Sequence, residues 1–241
     1  MRWIYISPHL DDAILSAGGL IYEQTKAGTP VKIWTIMCGF PQGTELSIFA
    51  QTMHYLWGTS SAQETVRVRR TEDAKAAEIV GAKTVHFDFL DCLYRRGRDG
   101  EWLYSDVFVP PHEHDADIPS QIAETVNPRI MQDDVLVCPL ALGSHVDHIL
   151  VRQAMEMLHH PLLYYADIPY LIKYPESLSP NTAGMKENVY LVTETGLRSW
   201  LEAVNAYSSQ LSTLLDSPES LLEAIRHYYE KQGGIPLWNY D

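Results

Sequence analysis

Apolar and polar positions along this chain alternate between two periods. The short apolar runs RWIYIS (2–7), VKIWTIMC (31–38), KTVHFDFL (83–90) and DVLVCPLA (134–141) read as buried strands. Between them, DAILSAGGLIYEQTKAG (12–28), VRVRRTEDAKAAEIVGA (66–82), IPSQIAETVN (118–127) and HILVRQAMEMLHH (148–160) carry helical spacing, and Gly28, Gly81 and Pro128 mark helix ends. LLYYADI (162–168) and NVYLVT (188–193) predict two more strands, and helices follow near 195–215 and 218–232. The aromatic segment 39–63 reads as a long loop. Repeated strand–helix–strand units of this kind predict an α/β fold, a mainly parallel, Rossmann-like sheet flanked by helices. No linker or repeat divides the chain, so the expectation is one domain over 1–241 with a C-terminal helical extension.

Composition narrows the partners. With 241 residues, 46% of them hydrophobic, the chain can bury a core without staples. Eighteen basic against 31 acidic residues leave a net charge of −13, which argues against nucleic acid and anionic membrane surfaces. An anionic ligand would need a local basic pocket. Cys38, Cys92 and Cys138 sit in separate apolar runs without a CxxC pair, so they read as reduced core residues rather than zinc ligands. The N-terminal apolar stretch is too short for a signal peptide and no run of about 18 apolar residues occurs, so a cytoplasmic location is expected.

Two clusters carry chemistry. Pro8-His9-Leu10-Asp11-Asp12 follows the first strand, and His145-Val146-Asp147-His148 follows the strand at 134–141. In parallel sheets, ligands bind beyond the C-terminal strand ends, so the two loops can converge. One His and one Asp from the first loop with one His from the second would make a three-ligand zinc site with a position open to water. The remaining Asp and His would serve acid–base chemistry. Alternatively, Asp11 and Asp12 cap the helix that starts there. Joint occurrence of the clusters favours the metal site.

These motifs resemble the zinc-dependent de-N-acetylases of the LmbE/PIG-L type. SPHLDDAILSAGG (7–19) is similar to that family's His-Pro-Asp-Asp motif and Gly-Gly pair, with Leu10 for Pro. GSHVDH (143–148) is similar to its His-Pro-Asp-His motif, with Val146 for Pro. RRTEDAKAAEIVGA (69–82), FLDCLYR (89–95), YYADIPY (164–170) and AYSSQ (206–210) resemble further signatures. The resemblance implies one zinc per chain, with Fe2+ or Co2+ as other choices, held by His9, Asp12 and His148. It implies Asp11 as general base, His145 as oxyanion stabiliser or acid for the leaving amine, and Asp147 as the residue orienting an imidazole. Arg69 and Asp91 are implied as substrate-binding residues. The implied reaction is hydrolysis of an N-acetyl group on an amino sugar or its conjugate. A metal-dependent hydratase or hydrolase of a small carboxylic acid is the alternative on the same fold. A phosphate-signalling receiver would have no use for the second cluster, and a glycan-binding module none for Asp11 and His145.

Other features fit less well. PPHEHDAD (110–117), with His112 and His114, reads as a solvated loop rather than a second metal site. Arg67, Arg69 and Arg70, and Arg95, Arg96 and Arg98, read as solvated charge or an anionic-ligand surface. The aromatics of 39–58 could form a lid, a homo-oligomer contact or core packing.

Overall fold

A computed structural model describes residues 1–240. Strands β1 (Arg2–Ser7), β2 (Val31–Thr35), β3 (Lys83–His86), β4 (Asp134–Pro139) and β5 (Leu162–Tyr165) lie parallel. The sheet has seven strands in the order β3-β2-β1-β4-β5-β7-β6, completed by β6 (Lys186–Leu191) and β7 (Gly234–Asn239). Strand β7 runs antiparallel to both of its neighbours. Winding reverses between β1 and β4, and that reversal opens a crevice at their C-terminal ends.

Both faces are covered, as the near-continuous apolar strands require. From β1, Trp3 and Tyr5 enter one core with α1 (Asp12–Lys26) and α6 (Glu194–Asn205). Ile4 and Ile6 enter the other, with α4 (Ile118–Val126) and α5 (Val146–Glu156). Helix α3 (Ala62–Ile79) packs on β3 and α6, its first turns share a small core with α2 (Ile48–Leu56), and α7 (Pro218–Gln232) packs on α6. The Gly-Gly pair of α1 has a packing cause. A Cβ on Gly18 would lie 2.5 Å from the Trp200 ring, so only glycine lets α6 approach so closely.

Three elements depart from the sequence expectation. Segment 39–63 holds α2, capped by Ser47, whose side chain accepts from the Ala50 N–H at 2.9 Å. Its pattern misleads because Ile48 and Tyr55 are each 84% exposed while Ala50 and His54 are buried. The helix expected near 195–215 ends at Asn205. The C-terminal extension is not only helical: the chain returns as β7 inside the sheet. Pro236 argues against an inner strand, but β5 pairs only with Leu237 and Trp238, so Pro236 lies beyond its reach. Among the described residues no helix is long and apolar enough to cross a membrane.

Candidate active site

The turn after β1 and the turn after β4 meet because their strands are neighbours. Ser7 decides how the first turn presents its acids. Its Oγ donates to the His9 carbonyl at 2.6 Å and accepts the Ala13 N–H at 3.0 Å, taking over the cap of α1. Asp11 occupies the N-cap position without a side-chain capping bond. The capping explanation of the Asp pair therefore fails for Asp11, whose carboxylate faces the cavity instead. The second turn is tightly coiled, with positive φ at Ala141, Gly143 and Ser144. A Cβ on Gly143 would come within 2.7 Å of the Tyr170 ring, so glycine is required there twice over.

Hydrogen bonds set which nitrogen of each imidazole is free. His9 Nε2 donates to Asp147 Oδ2 at 2.9 Å, and its Nδ1 lies 3.3 Å from Asp12 Oδ2. His148 Nδ1 donates to Asp167 Oδ1 at 2.6 Å, and its Nε2 also lies 3.3 Å from Asp12 Oδ2. That buried Nε2 has no hydrogen-bond partner. Asp12 Oδ2 also accepts the His9 backbone N–H at 2.7 Å, which anchors it at the meeting point. The three imidazoles of His9, His145 and His148 form one compact group able to hold a metal. His145 differs from the other two, because its Nδ1 accepts the Asp147 N–H at 3.1 Å. The proton then sits on Nε2, which makes His145 a donor rather than a lone-pair ligand.

Electrostatics separate these groups further. Burial would depress the pKa of His9, but bonds to Asp12 and Asp147 outweigh it and raise it well above the ordinary value. In the same way Asp12 and Asp167 outweigh burial at His148 and push it up to about 9. Burial, reinforced by His9 and His148, drives His145 well below the usual range and keeps it neutral. Asp12 is held low, the two imidazoles overcoming its burial. Asp11 is pushed up to about 6 by burial and by Asp12, with Arg69 opposing.

His9, Asp11, Asp12 and His145 line the floor of a cavity of about 340 Å3, and His148 lies fully buried beneath it. Phe49, Met53 and Trp57 of the α2 region form one wall, and Val107, Phe108 and Tyr170 face them. Arg69 enters from α3 with its guanidinium 5.0 Å from the Trp57 ring centre. It approaches Asp11 and Asp91 only to 3.7 and 3.8 Å, and its Nε has no partner. Asp91 spends Oδ1 on the Leu93 N–H at 2.9 Å and leaves Oδ2 3.9 Å from His9 Nε2. Seven of the eight residues singled out from the sequence gather here with unclaimed atoms toward the metal group or the cavity. Asp147 is the exception: it stands fully buried behind His9, with its carboxylate turned to His9, the Cys92 N–H and Arg95. The His112/His114 segment is elsewhere: His112 Nδ1 accepts the His114 N–H at 3.1 Å, and His114 lies 3.4 Å from Glu101.

Asp167, Tyr170 and Gln210 belong to the site although the sequence singled out none of them individually. Asp167 was legible as a lone acid just after the apolar run of β5, a position equivalent to those of the two clusters. Tyr170 and Gln210 lay in YYADIPY and AYSSQ, which resemble family signatures, but their approach to the cavity depends on distant packing. Trp57 appeared only among the lid aromatics, and its Nε1 in fact donates to Thr213 Oγ1 at 3.2 Å, fixing α2 to the C-terminal segment.

The chain is similar to several known proteins. A 2'-N-acetylparomamine deacetylase from Niallia circulans is 26% identical over 198 residues, covering 73% of this chain and 70% of that protein. The zinc-inhibited form of teicoplanin deacetylase Orf2 superposes with a TM-score of 0.85 at 28% identity, covering 99% of this chain and 97% of its own. The 4-carboxy-2-hydroxymuconate hydratase GalB from Pseudomonas putida, at 16% identity and a TM-score of 0.60 over 99% of this chain and 95% of its own, shares the fold alone. The GlcNAc-PI de-N-acetylase profile, PIG-L, matches residues 4–158, which take in both motifs and the strands that carry them, and the chain belongs to that family.

Proposed function

We propose that residues 1–241 form one metal-dependent amide hydrolase domain, removing an N-acetyl group from an amino sugar or an amino-sugar conjugate. The observation that carries this reading is the pairing of each outward imidazole nitrogen with a buried carboxylate, which leaves His9 Nδ1 and His148 Nε2 each 3.3 Å from Asp12 Oδ2. Ligands about 2.05 Å from a tetrahedral ion stand about 3.3 Å apart. Carboxylates behind ligating histidines are the usual means of fixing their tautomer. The donors therefore fit a divalent ion, and we assign it as zinc, one per chain, held by His9, Asp12 and His148. Fe2+ and Co2+ accept the same donors. Such an ion supplies Lewis acidity and lowers the pKa of bound water to about 7.

The remaining residues supply the proton chemistry. Asp11 takes a proton from the attacking water and passes it to the amine nitrogen as the C–N bond breaks, giving acetate and a free amine. His145 donates from Nε2–H to the carbonyl oxygen as it gains charge. Arg69, rich in unclaimed N–H groups, and Asp91 hold substrate hydroxyls. Asp147 acts through His9, whose ring it orients. The aromatic walls suit stacking on sugar faces. The substrate class rests on relatives named as deacetylases of teicoplanin and of 2'-N-acetylparomamine. Three unpaired buried thiols suit a cytoplasmic setting.

Metal analysis followed by acetate assays on a panel of N-acetylated amino sugars tests the proposal. About one zinc per chain with acetate release is the expected result. Because one similar structure is of a zinc-inhibited form, zinc is best titrated into chelated protein in small steps. A chain that binds no divalent metal would sink the reading.

The pH dependence has a definite sign. Asp11 works as a carboxylate, so kcat/KM rises with pH through its pKa, which burial and Asp12 place at about 6. A bound dication lowers that value, so the acid limb is expected at or below pH 6. Arg69 also lowers it, so Arg69→Met should move the limb to higher pH. A limb that stays in place in Arg69→Met would remove Asp11 as its source.

A further inference from the structure

We infer that Arg95 is a positioning residue of the metal centre, locking Asp147 so that Asp147 can hold His9, and tying the 104–117 segment to that centre through Asp115. This inference rests on the metal reading given above. Arg95 is 5% exposed and belongs to the short turn after β3. Its Nη2 lies 2.6 Å from Asp147 Oδ1 and its Nε 2.8 Å from Asp115 Oδ2. The N–H directions are oblique to both carboxylates, so these are charge contacts rather than aligned hydrogen bonds. Arg95 Nη1 donates to the Leu90 carbonyl at 3.0 Å, and the guanidinium lies 5.0 Å from the Tyr104 ring centre.

Asp147 is fully buried and accepts on Oδ2 from His9 Nε2 and from the Cys92 N–H, each at 2.9 Å. Among the described residues its Oδ1 has no hydrogen-bond donor and is met by the Arg95 guanidinium. A buried carboxylate oxygen needs a counter-charge or a donor. Without Arg95, Oδ1 loses its counter-charge and only the Cys92 N–H remains beside His9 to fix the carboxylate, so its hold on the His9 ring that aims Nδ1 at Asp12 loosens. The far end of the chain of contacts is equally closed. Asp115 accepts from Tyr104 OH at 2.5 Å, and that hydroxyl accepts the His112 N–H at 2.9 Å. Part of the PPHEHDAD stretch, read from the sequence as a solvated loop, therefore buttresses the metal site from behind. The sequence also grouped Arg95 with Arg96 and Arg98 as surface charge, whereas burial separates it from them.

Zinc competition against a chromophoric chelator, with visible spectra of the Co2+ form, tests this on the full chain. Arg95→Met is expected to weaken zinc binding by about 10- to 100-fold and to shift the cobalt spectrum. Arg95→Lys should recover part of the affinity, since it restores charge without the fork. Adding Arg95→Met to Asp147→Asn should cost little more than Asp147→Asn alone, because both act through His9. Wild-type zinc affinity and an unchanged cobalt spectrum in Arg95→Met, whatever its melting temperature, would overturn the inference. So would additive losses in the double variant. Should Arg95→Met fail to fold, Arg95→Lys and Asp115→Asn carry the test: weaker zinc binding in both supports the inference, and wild-type affinity in both overturns it. A wild-type chain that binds no metal overturns the functional reading and this inference together. Normal wild-type binding with unaltered variants overturns this inference alone.

Discussion

Asp11→Asn is expected to keep its metal and to lose about two to four orders of magnitude in kcat, the usual span for a general base. His148→Ala is expected to lose the metal itself. The contrast follows from geometry. Asp11 lines the cavity, makes no capping bond and is not among the groups whose atoms meet at Asp12 Oδ2. His148 is fully buried, with one nitrogen spent on Asp167 and the other without a hydrogen-bond partner. Replacing that imidazole removes a ligand and leaves the buried Asp167 with the Leu142 N–H but no partner on Oδ1, so metal content and stability should fall together. His9→Ala should also lose the metal, since it removes a ligand, although Asp147 keeps the Cys92 N–H and Arg95. Elemental analysis and single-turnover acetate release separate the cases. Retention of a full metal equivalent by both His9→Ala and His148→Ala would remove these residues as ligands. Undiminished kcat in Asp11→Asn would leave the proton transfer to another group.

The largest effect away from the site is expected at Trp200. Trp200→Ala should lose about 3–5 kcal/mol of stability, the range for deleting a large buried aromatic side chain. For a chain of this size that is a fall of roughly 6–20 °C in Tm. Trp200 is fully buried, packs on Gly18 and Gly19, and its Nε1 donates to the Ile14 carbonyl at 2.7 Å. The substitution therefore opens a cavity and takes a donor from a helix carbonyl at one seam. Denaturant unfolding of both proteins in the metal-free state measures the loss without contribution from the ion. A loss under about 1 kcal/mol would mean that α6 is a loosely held cover rather than part of the core.

Most strands and helices were legible because burial on a sheet face and helical spacing are written in neighbouring residues. RWIYIS and DVLVCPLA became β1 and β4 for that reason. Segment 39–63 was not, because α2 turns Ile48 and Tyr55 outward and buries His54 against Tyr94, 2.8 Å from its hydroxyl. The short C-terminal run GIPLWN escaped for a related reason. Its Pro236 argues against an inner strand until the limited reach of β5 is known.

The chemistry of the candidate site divides along the same line. By itself the sequence determined the residue types: His, Asp and Asp after one strand, His, Asp and His after another, each at a place where α/β folds put ligands. Tertiary structure alone decided that Ser7 rather than Asp11 caps α1, that β1 and β4 are neighbours, and that Asp147 stands behind His9. It alone brought Asp167 to His148 and Arg95 to Asp147. The reason is physical. A side chain's chemistry belongs to its own position, whereas the free nitrogen of an imidazole is chosen by whatever carboxylate reaches the other, and for His9 that carboxylate lies 138 residues away.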